Sequence, residues 1–183
     1  MPKRGDIIKP YRLGRGSLRR LAGKHPEVAH VVPVHPDLVA VVKLALRYSI
    51  HDFTVLSSTV RDKRMQREFV RLGKSRTMKS LHLPQASGFI HAVDLGVWIG
   101  NAVVWTPDDL YFDLARAMQR AAIELNVPVE WGACWCSLLT AQSPEMLNAE
   151  YARLCRVKYE AGRRRSPRPF IDLVHFQLPR NYR

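Results

Sequence analysis

No apolar run in this chain approaches the roughly 18–20 residues that a membrane-spanning helix needs, so a transmembrane protein is not expected. The basic start, Met1-Pro2-Lys3-Arg4-Gly5-Asp6, has no apolar stretch behind it, so no secretory signal is expected. The reading is a protein made in the cytoplasm, which something else must release if it acts outside. Cysteine is scarce. Three residues, Cys134, Cys136 and Cys155, are an odd number and argue against a disulfide framework. Cys134-Trp135-Cys136 lacks the two-residue spacing of zinc knuckles and redox motifs. A metal site completed by Cys155 or a His stays open, beside the simpler reading of buried or half-buried thiols. There is no phosphate-cradling Gly-rich loop and no Gly-x-Ser-x-Gly nucleophile element.

Acidic residues are outnumbered. The chain of 183 residues has 29 Lys and Arg against 16 Asp and Glu, a net charge of +13. Such a protein is drawn to polyanions: nucleic acid, an anionic membrane surface or an anionic cell wall. The charge is densest from Lys3 to Lys24 and from Arg153 to Arg168, which includes Arg163-Arg164-Arg165. A solvated face or a flexible basic tail is the alternative for both.

The length suits one domain with its own core. Residues 1–34 read as a basic arm with a single helical turn. Leu38, Val41, Val42, Ala45 and Leu46 recur at helical spacing and predict a helix from Asp37. Phe53 to Thr59 reads as a strand. Arg61 to Leu72 reads as a helix with Met65, Phe69 and Leu72 on one side and Gly73 as its C-terminal cap. Phe89 to Ile99 reads as a strand through the core. Thr106-Pro107-Asp108-Asp109 predicts a helix start with Thr106 as the cap, and Leu110, Leu114, Met118, Ala121 and Leu125 facing inward. Val129 to Trp131 and Phe170 to Leu178 read as strands. Residues 138–169 form an insertion with a helix from Ser143 and the basic run. This mixture lacks regular βαβ alternation, so the expected fold class is α+β: helices around a small, mainly antiparallel sheet.

Candidate chemistry lies in two places. His82 on a loop precedes Asp94 on a strand, and the last strand carries Asp172 and His175. Two His and one carboxylate, with a position left for water, are a ligand set for catalytic zinc, and a nearby carboxylate can take the proton from that water. Asp172 and His175 would fall on opposite faces of a regular strand, so Asp172-Leu173-Val174 must be a turn or bulge for both to face one point. Taken alone, a single His is more often a surface or satisfied core residue than a ligand.

Four ordered elements add to this. They are Arg61-Asp62-Lys63-Arg64-Met65-Gln66 with Gly73-Lys74-Ser75, then Ser80-Leu81-His82, then Ala92-Val93-Asp94, and finally Trp131-Gly132-Ala133-Cys134-Trp135 with Asp172-Leu173-Val174-His175. Together, from about His35 to Pro179, they resemble the zinc D,D-carboxypeptidase and L-alanyl-D-glutamate peptidase family, and within it the phage endolysin branch. The resemblance implies one zinc ion on His82, Asp94 and His175, with Asp172 as the catalytic carboxylate. It also implies Arg61 on the substrate or oxyanion and Ser80 as a substrate contact. The implied activity is hydrolysis of a peptide bond in the bacterial cell-wall stem peptide, between L-Ala and D-Glu, as in host lysis. A D-alanyl-D-alanine carboxypeptidase is the alternative within the family. A basic nucleic-acid-binding protein is the alternative outside it, although no nucleic-acid reading motif is present and no specific nucleic-acid partner is expected. The expected partners are the peptidoglycan stem peptide and, through the basic clusters, the anionic envelope; a monomer is expected. Three departures stand out. The loop between His82 and Asp94 is longer than in most members, which makes His91 a competing ligand. Cys134 stands where the family often has Asp. The 138–169 insertion has no assigned role.

Overall fold

The computed structural model describes residues 14–24, 32–138, 150 and 171–182. Among the described residues, helices α1 (Arg15–Leu21), α2 (Pro36–Tyr48), α3 (Lys63–Arg71) and α4 (Asp109–Leu125) surround an antiparallel sheet. The strands are β1 (Asp52–Val55), β2 (Ala92–Ile99), β3 (Ala102–Val103), β4 (Glu130–Trp131), β5 (Cys136–Ser137) and β6 (His175–Gln177). They run in the order β1-β2-β6-β4-β5, with β3 folded back on the end of β2. Among the described residues every strand pairing is antiparallel, and the sole parallel contact is an isolated bridge between Val34 and Ile90. The expected α+β class is therefore what the chain adopts.

The helix predicted from Asp37 is α2. Pro36 takes its first position, where a missing N–H costs nothing, and the His35 ring caps it by accepting the Asp37 amide. All five stripe residues, Leu38, Val41, Val42, Ala45 and Leu46, are buried, and the helix packs against α4. On α4, Leu114, Met118 and Ala121 are buried as expected, but Leu125 is exposed at the last turn. The helix begins later than the Thr106 signal suggests. Its N-cap is Asp108, whose carbonyl accepts the Tyr111 and Phe112 amides. Asn126 ends it in the left-handed conformation that Asn tolerates better than most residues.

Two regions go beyond the sequence reading. Gly14 to Lys24, read as part of a basic arm with a single helical turn, contains a two-turn helix docked on β1. Ser17 Oγ takes the Val55 amide and meets Thr54 Oγ1, and the Arg20 guanidinium donates to the Val55 carbonyl. On α3, where Met65, Phe69 and Leu72 share one side, Met65 and Phe69 are half-buried and Leu72 is exposed, and the fully buried residue is Gln66. Its buried face serves a polar network, which apolar periodicity cannot register. Asp62 caps α3 through the Met65 amide, and Gly73 closes it at φ +70° as expected. The 138–169 insertion, apart from Leu138 and Glu150, and the basic run from Arg153 lie outside the described residues.

β2 positions the site. It is held between β1 on one edge and β6 on the other, and its residues Ala92 to Val97 are all buried. Asp94 therefore brings a carboxylate into the middle of a dry strand. That is costly unless the charge is paired, and the surrounding loops supply the partners.

Candidate metal centre

Strand register sets the first contact. Asp94 on β2 is the direct partner of His175 on β6. His82 comes from the loop before β2. That loop is longer than the resemblance leads one to expect, yet it is tied down: Gln85 donates to the Ser80 and Leu83 carbonyls, and the His91 amide donates to the Leu81 carbonyl. Three atoms meet as a result. His82 Nε2 and His175 Nδ1 are 3.0 Å apart; Asp94 Oδ1 is 3.1 Å from the first and 3.2 Å from the second. All three residues are buried, and among the described residues they form the one group able to hold a metal ion.

The outer hydrogen bonds decide what these atoms present. His82 Nδ1 lies 3.0 Å from the Thr59 carbonyl, which can only accept, so Nδ1 carries the hydrogen. His175 Nε2 lies 2.9 Å from Gln177 Oε1, another acceptor. In their neutral forms both rings therefore aim bare lone pairs at one point beside a carboxylate oxygen. Three lone pairs converging in a buried place call for a cation. A tetrahedral zinc ion with bonds of about 2.0–2.1 Å separates its ligand atoms by about 3.3 Å, close to the triangle seen here. The donor set also suits zinc chemically.

Asp94 is held so that one oxygen faces the histidines. Its other oxygen, Oδ2, accepts Ser58 Oγ at 2.6 Å and Arg61 Nη2 at 2.9 Å. Thr59 Oγ1 accepts the Asp94 amide and donates to its carbonyl. Arg61 is itself fixed: Nε donates to the Ser58 carbonyl, Nη1 donates to Gln66 Oε1, and its guanidinium lies over the Phe69 ring. Gln66 in turn donates to Ser75 Oγ and the Thr77 carbonyl.

Charge states follow from this packing. Burial pushes His82 down to about 4, although Asp94 pulls the other way. Burial would raise Asp94, but His82, His175 and Arg61 together hold its carboxyl well below the usual range. Burial lowers His175, but its bond to Asp94 and the nearby Asp172 outweigh that and raise it. Asp172 is raised, first by burial and then by the Asp94 charge.

The required turn before β6 is present. The His175 amide donates to the Asp172 carbonyl across Leu173 and Val174. Trp131 and Gly132 clamp this turn. Trp131 Nε1 donates to the Leu173 carbonyl, while Gly132 exchanges backbone bonds with Asp172 and His175. Trp135, at φ +52°, leans its ring against His175 with centroids 5.4 Å apart.

Of the residues singled out in the sequence, the structure brings together His82, Asp94, His175 and Arg61, with Asp172 close enough to His175 and Asp94 to feel their charges. Ser80 is buried, and its Oγ accepts the His82 amide at 3.3 Å. His91 lies apart from the group, bonded to Ser87 Oγ and edge-on to His35 and Tyr182. Cys134 is in the core, its Sγ 2.9 Å from that of Cys136 and not disulfide-bonded to it. Ser58, Thr59, Glu130 and Gln177 join the site without a mark in the sequence motifs. The run of three hydroxyls, Ser57-Ser58-Thr59, was a signal: it forms a single 3-10 turn beside Asp94 rather than the end of a strand.

A buried His-Asp-His group on a mainly antiparallel sheet is first of all a site able to hold a metal ion. The structure is similar to the crystal structure of the L-Ala D-Glu endopeptidase ChiX of Serratia marcescens, with a TM-score of 0.57 and 34% sequence identity over 89% of this chain and 86% of the other. The family model described as phage L-alanyl-D-glutamate peptidase matches residues 10–146, and the chain belongs to that family. Among curated proteins nothing matches the chain.

Proposed function

We propose that the chain is a zinc-dependent peptidoglycan peptidase that hydrolyses the L-Ala–D-Glu bond of the cell-wall stem peptide. One observation carries the metal reading: His82, Asp94 and His175 aim three lone pairs at one buried point, with atoms 3.0–3.2 Å apart. Family membership supports the choice of bond. Bound at that point, zinc would supply a Lewis acid for the scissile carbonyl and would ease deprotonation of water.

The rest is the work of the chain's own residues. Asp172 takes the proton of the attacking water and gives it to the leaving amine. Its raised pKa suits both steps, since a group that must accept and then release a proton works best near the operating pH. Arg61 has five N–H donors, three of which serve Ser58, Gln66 and Asp94. The other two are assigned to the substrate carbonyl or carboxylate. Ser80, two residues before His82 and bonded to its amide, is assigned a substrate contact. The whole is read as one monomeric peptidase domain. The basic arm and the 138–169 insertion, part of a net charge of +13, draw it to the anionic envelope after synthesis in the cytoplasm and release.

The test is digestion of purified peptidoglycan, with and without a chelator, the products being identified by mass spectrometry. The expected result is a cut between L-Ala and D-Glu, abolished by the chelator and restored by zinc. Release of terminal D-Ala alone would replace this reading with the carboxypeptidase one. Absence of cleavage with every divalent metal tried would overturn both.

A further inference from the structure

His175 can offer its Nδ1 lone pair to a metal only while its hydrogen stays on Nε2. Nε2 faces Gln177 Oε1 at 2.9 Å, and both residues are buried. A glutamine side chain can turn over, however. With its amide reversed, Gln177 would present an NH2 group to Nε2, the hydrogen would move to Nδ1, and the lone pair would be lost to the metal. Something must hold the amide one way round.

Glu130 does so. It is the direct cross-strand partner of Gln177, and its Oε2 accepts Gln177 Nε2 at 2.6 Å. A carboxylate has no hydrogen to give, so it accepts the NH2 end of Gln177 and rejects the carbonyl end. The polarity then runs one way: the Glu130 carboxylate fixes the Gln177 NH2, the Gln177 carbonyl fixes the His175 Nε2 hydrogen, and Nδ1 is left bare toward Asp94 and His82. We infer that Glu130 and Gln177 are positioning residues that set the tautomer of His175 and so its capacity to bind the metal. This rests on the metal reading above. His82 needs no such device, because the backbone carbonyl of Thr59 cannot be reversed.

The test compares wild type with Glu130→Gln, which keeps the size of the side chain and removes the obligatory acceptor. Zinc affinity is measured by competition with a chromophoric chelator. The hydrogen on the neutral His175 ring is located by long-range 1H–15N correlation. Partners of metal-ligating histidines are typically worth about 10- to 100-fold in affinity. The expected result is a loss of that size in Glu130→Gln, a population of His175 with the hydrogen on Nδ1, and an unfolding temperature of the metal-free protein close to wild type. Gln177→Leu, which leaves Nε2 without an acceptor, should show the same loss. Unchanged zinc affinity in Glu130→Gln, with the hydrogen still wholly on Nε2, would overturn the inference while leaving the metal site intact. A wild type that binds no zinc would instead overturn the metal reading.

Discussion

A side chain at Gly132 would run into the carbonyl oxygen of Asp172, and its Cβ would stand 3.0 Å from the Cβ of His175. The family's Trp-Gly pair thus has a physical reason. Trp131 stacks on Phe176 and meets Phe112 edge-on, which anchors β4 in the core. Gly132 then lets the strand lie against the turn that carries both Asp172 and His175. Gly132→Ala is expected to push that turn away. Overpacking of this kind costs about 1–3 kcal/mol, readable by urea unfolding of the metal-free protein. Zinc affinity should fall with it, because His175 moves. Wild-type values for both would mean that the turn can yield without cost.

Burial of the histidines predicts how stability depends on pH. His82 titrates near 4 when folded and near 6.5 when unfolded. Its contribution is complete above pH 6.5 and is lost as the pH falls toward 4, about 3 kcal/mol in all. His175 is raised, so its contribution is complete below 6.5 and is lost as the pH rises through its folded value. It is therefore constant in the acid window. Asp94, held low, adds its loss only below about 3.8. Asp172 is raised and works against His82 on the acid side, so the clean measurement uses Asp172→Asn. The metal-free variant should be most stable near pH 6.5 and should weaken on both sides in urea unfolding. A profile flat from 6.5 to 4 would contradict a buried, neutral His82.

The apolar framework was legible in the sequence because period carries it. The α2 stripe is fully buried as read, and the turn before His175 is where the face argument requires it. The polar support was not legible. Gln66 on α3 and Ser58 and Thr59 after β1 act through hydrogen bonds to particular partners, Arg61, Asp94 and His82, and no period marks such residues. Glu130 and Gln177 matter because two short strands pair in one register, which is a property of the sheet. The same limit applies to α3, where the spacing marks Met65 and Phe69, which are half-buried, but not Gln66, the residue it buries fully.

Arg61 shows what that polar support is worth. Its planar fork reaches the Ser58 carbonyl, Gln66 and Asp94 at once. Arg61→Lys keeps the charge but cannot span three partners. Each buried acceptor left without a donor costs about 1–3 kcal/mol, so the variant should unfold at lower urea. Because Asp94 Oδ2 loses a fixed donor, its other oxygen is less firmly aimed, and zinc affinity should drop as well. If Arg61 also meets the substrate, kcat/KM should fall further than zinc occupancy explains, which turnover at saturating zinc would reveal. Equal turnover per bound zinc in the two proteins would confine Arg61 to holding Asp94.

Asp172 separates chemistry from stability most sharply. Its carboxylate is ionised only against burial and against the Asp94 charge, so at neutral pH it strains the fold. Asp172→Asn removes the charge and keeps the shape. The metal-free variant should therefore be at least as stable as wild type at pH 7, with zinc affinity within a few-fold, since Asp172 is not among the three converging residues. Peptidoglycan hydrolysis should fall by about 100- to 10,000-fold, the usual contribution of a general base. Stability, metal affinity and turnover measured on one preparation test all three statements. Substantial hydrolysis retained by a zinc-loaded Asp172→Asn protein would remove Asp172 from the proton path. A fall in zinc affinity matching the fall in rate would make it a fourth ligand rather than a base.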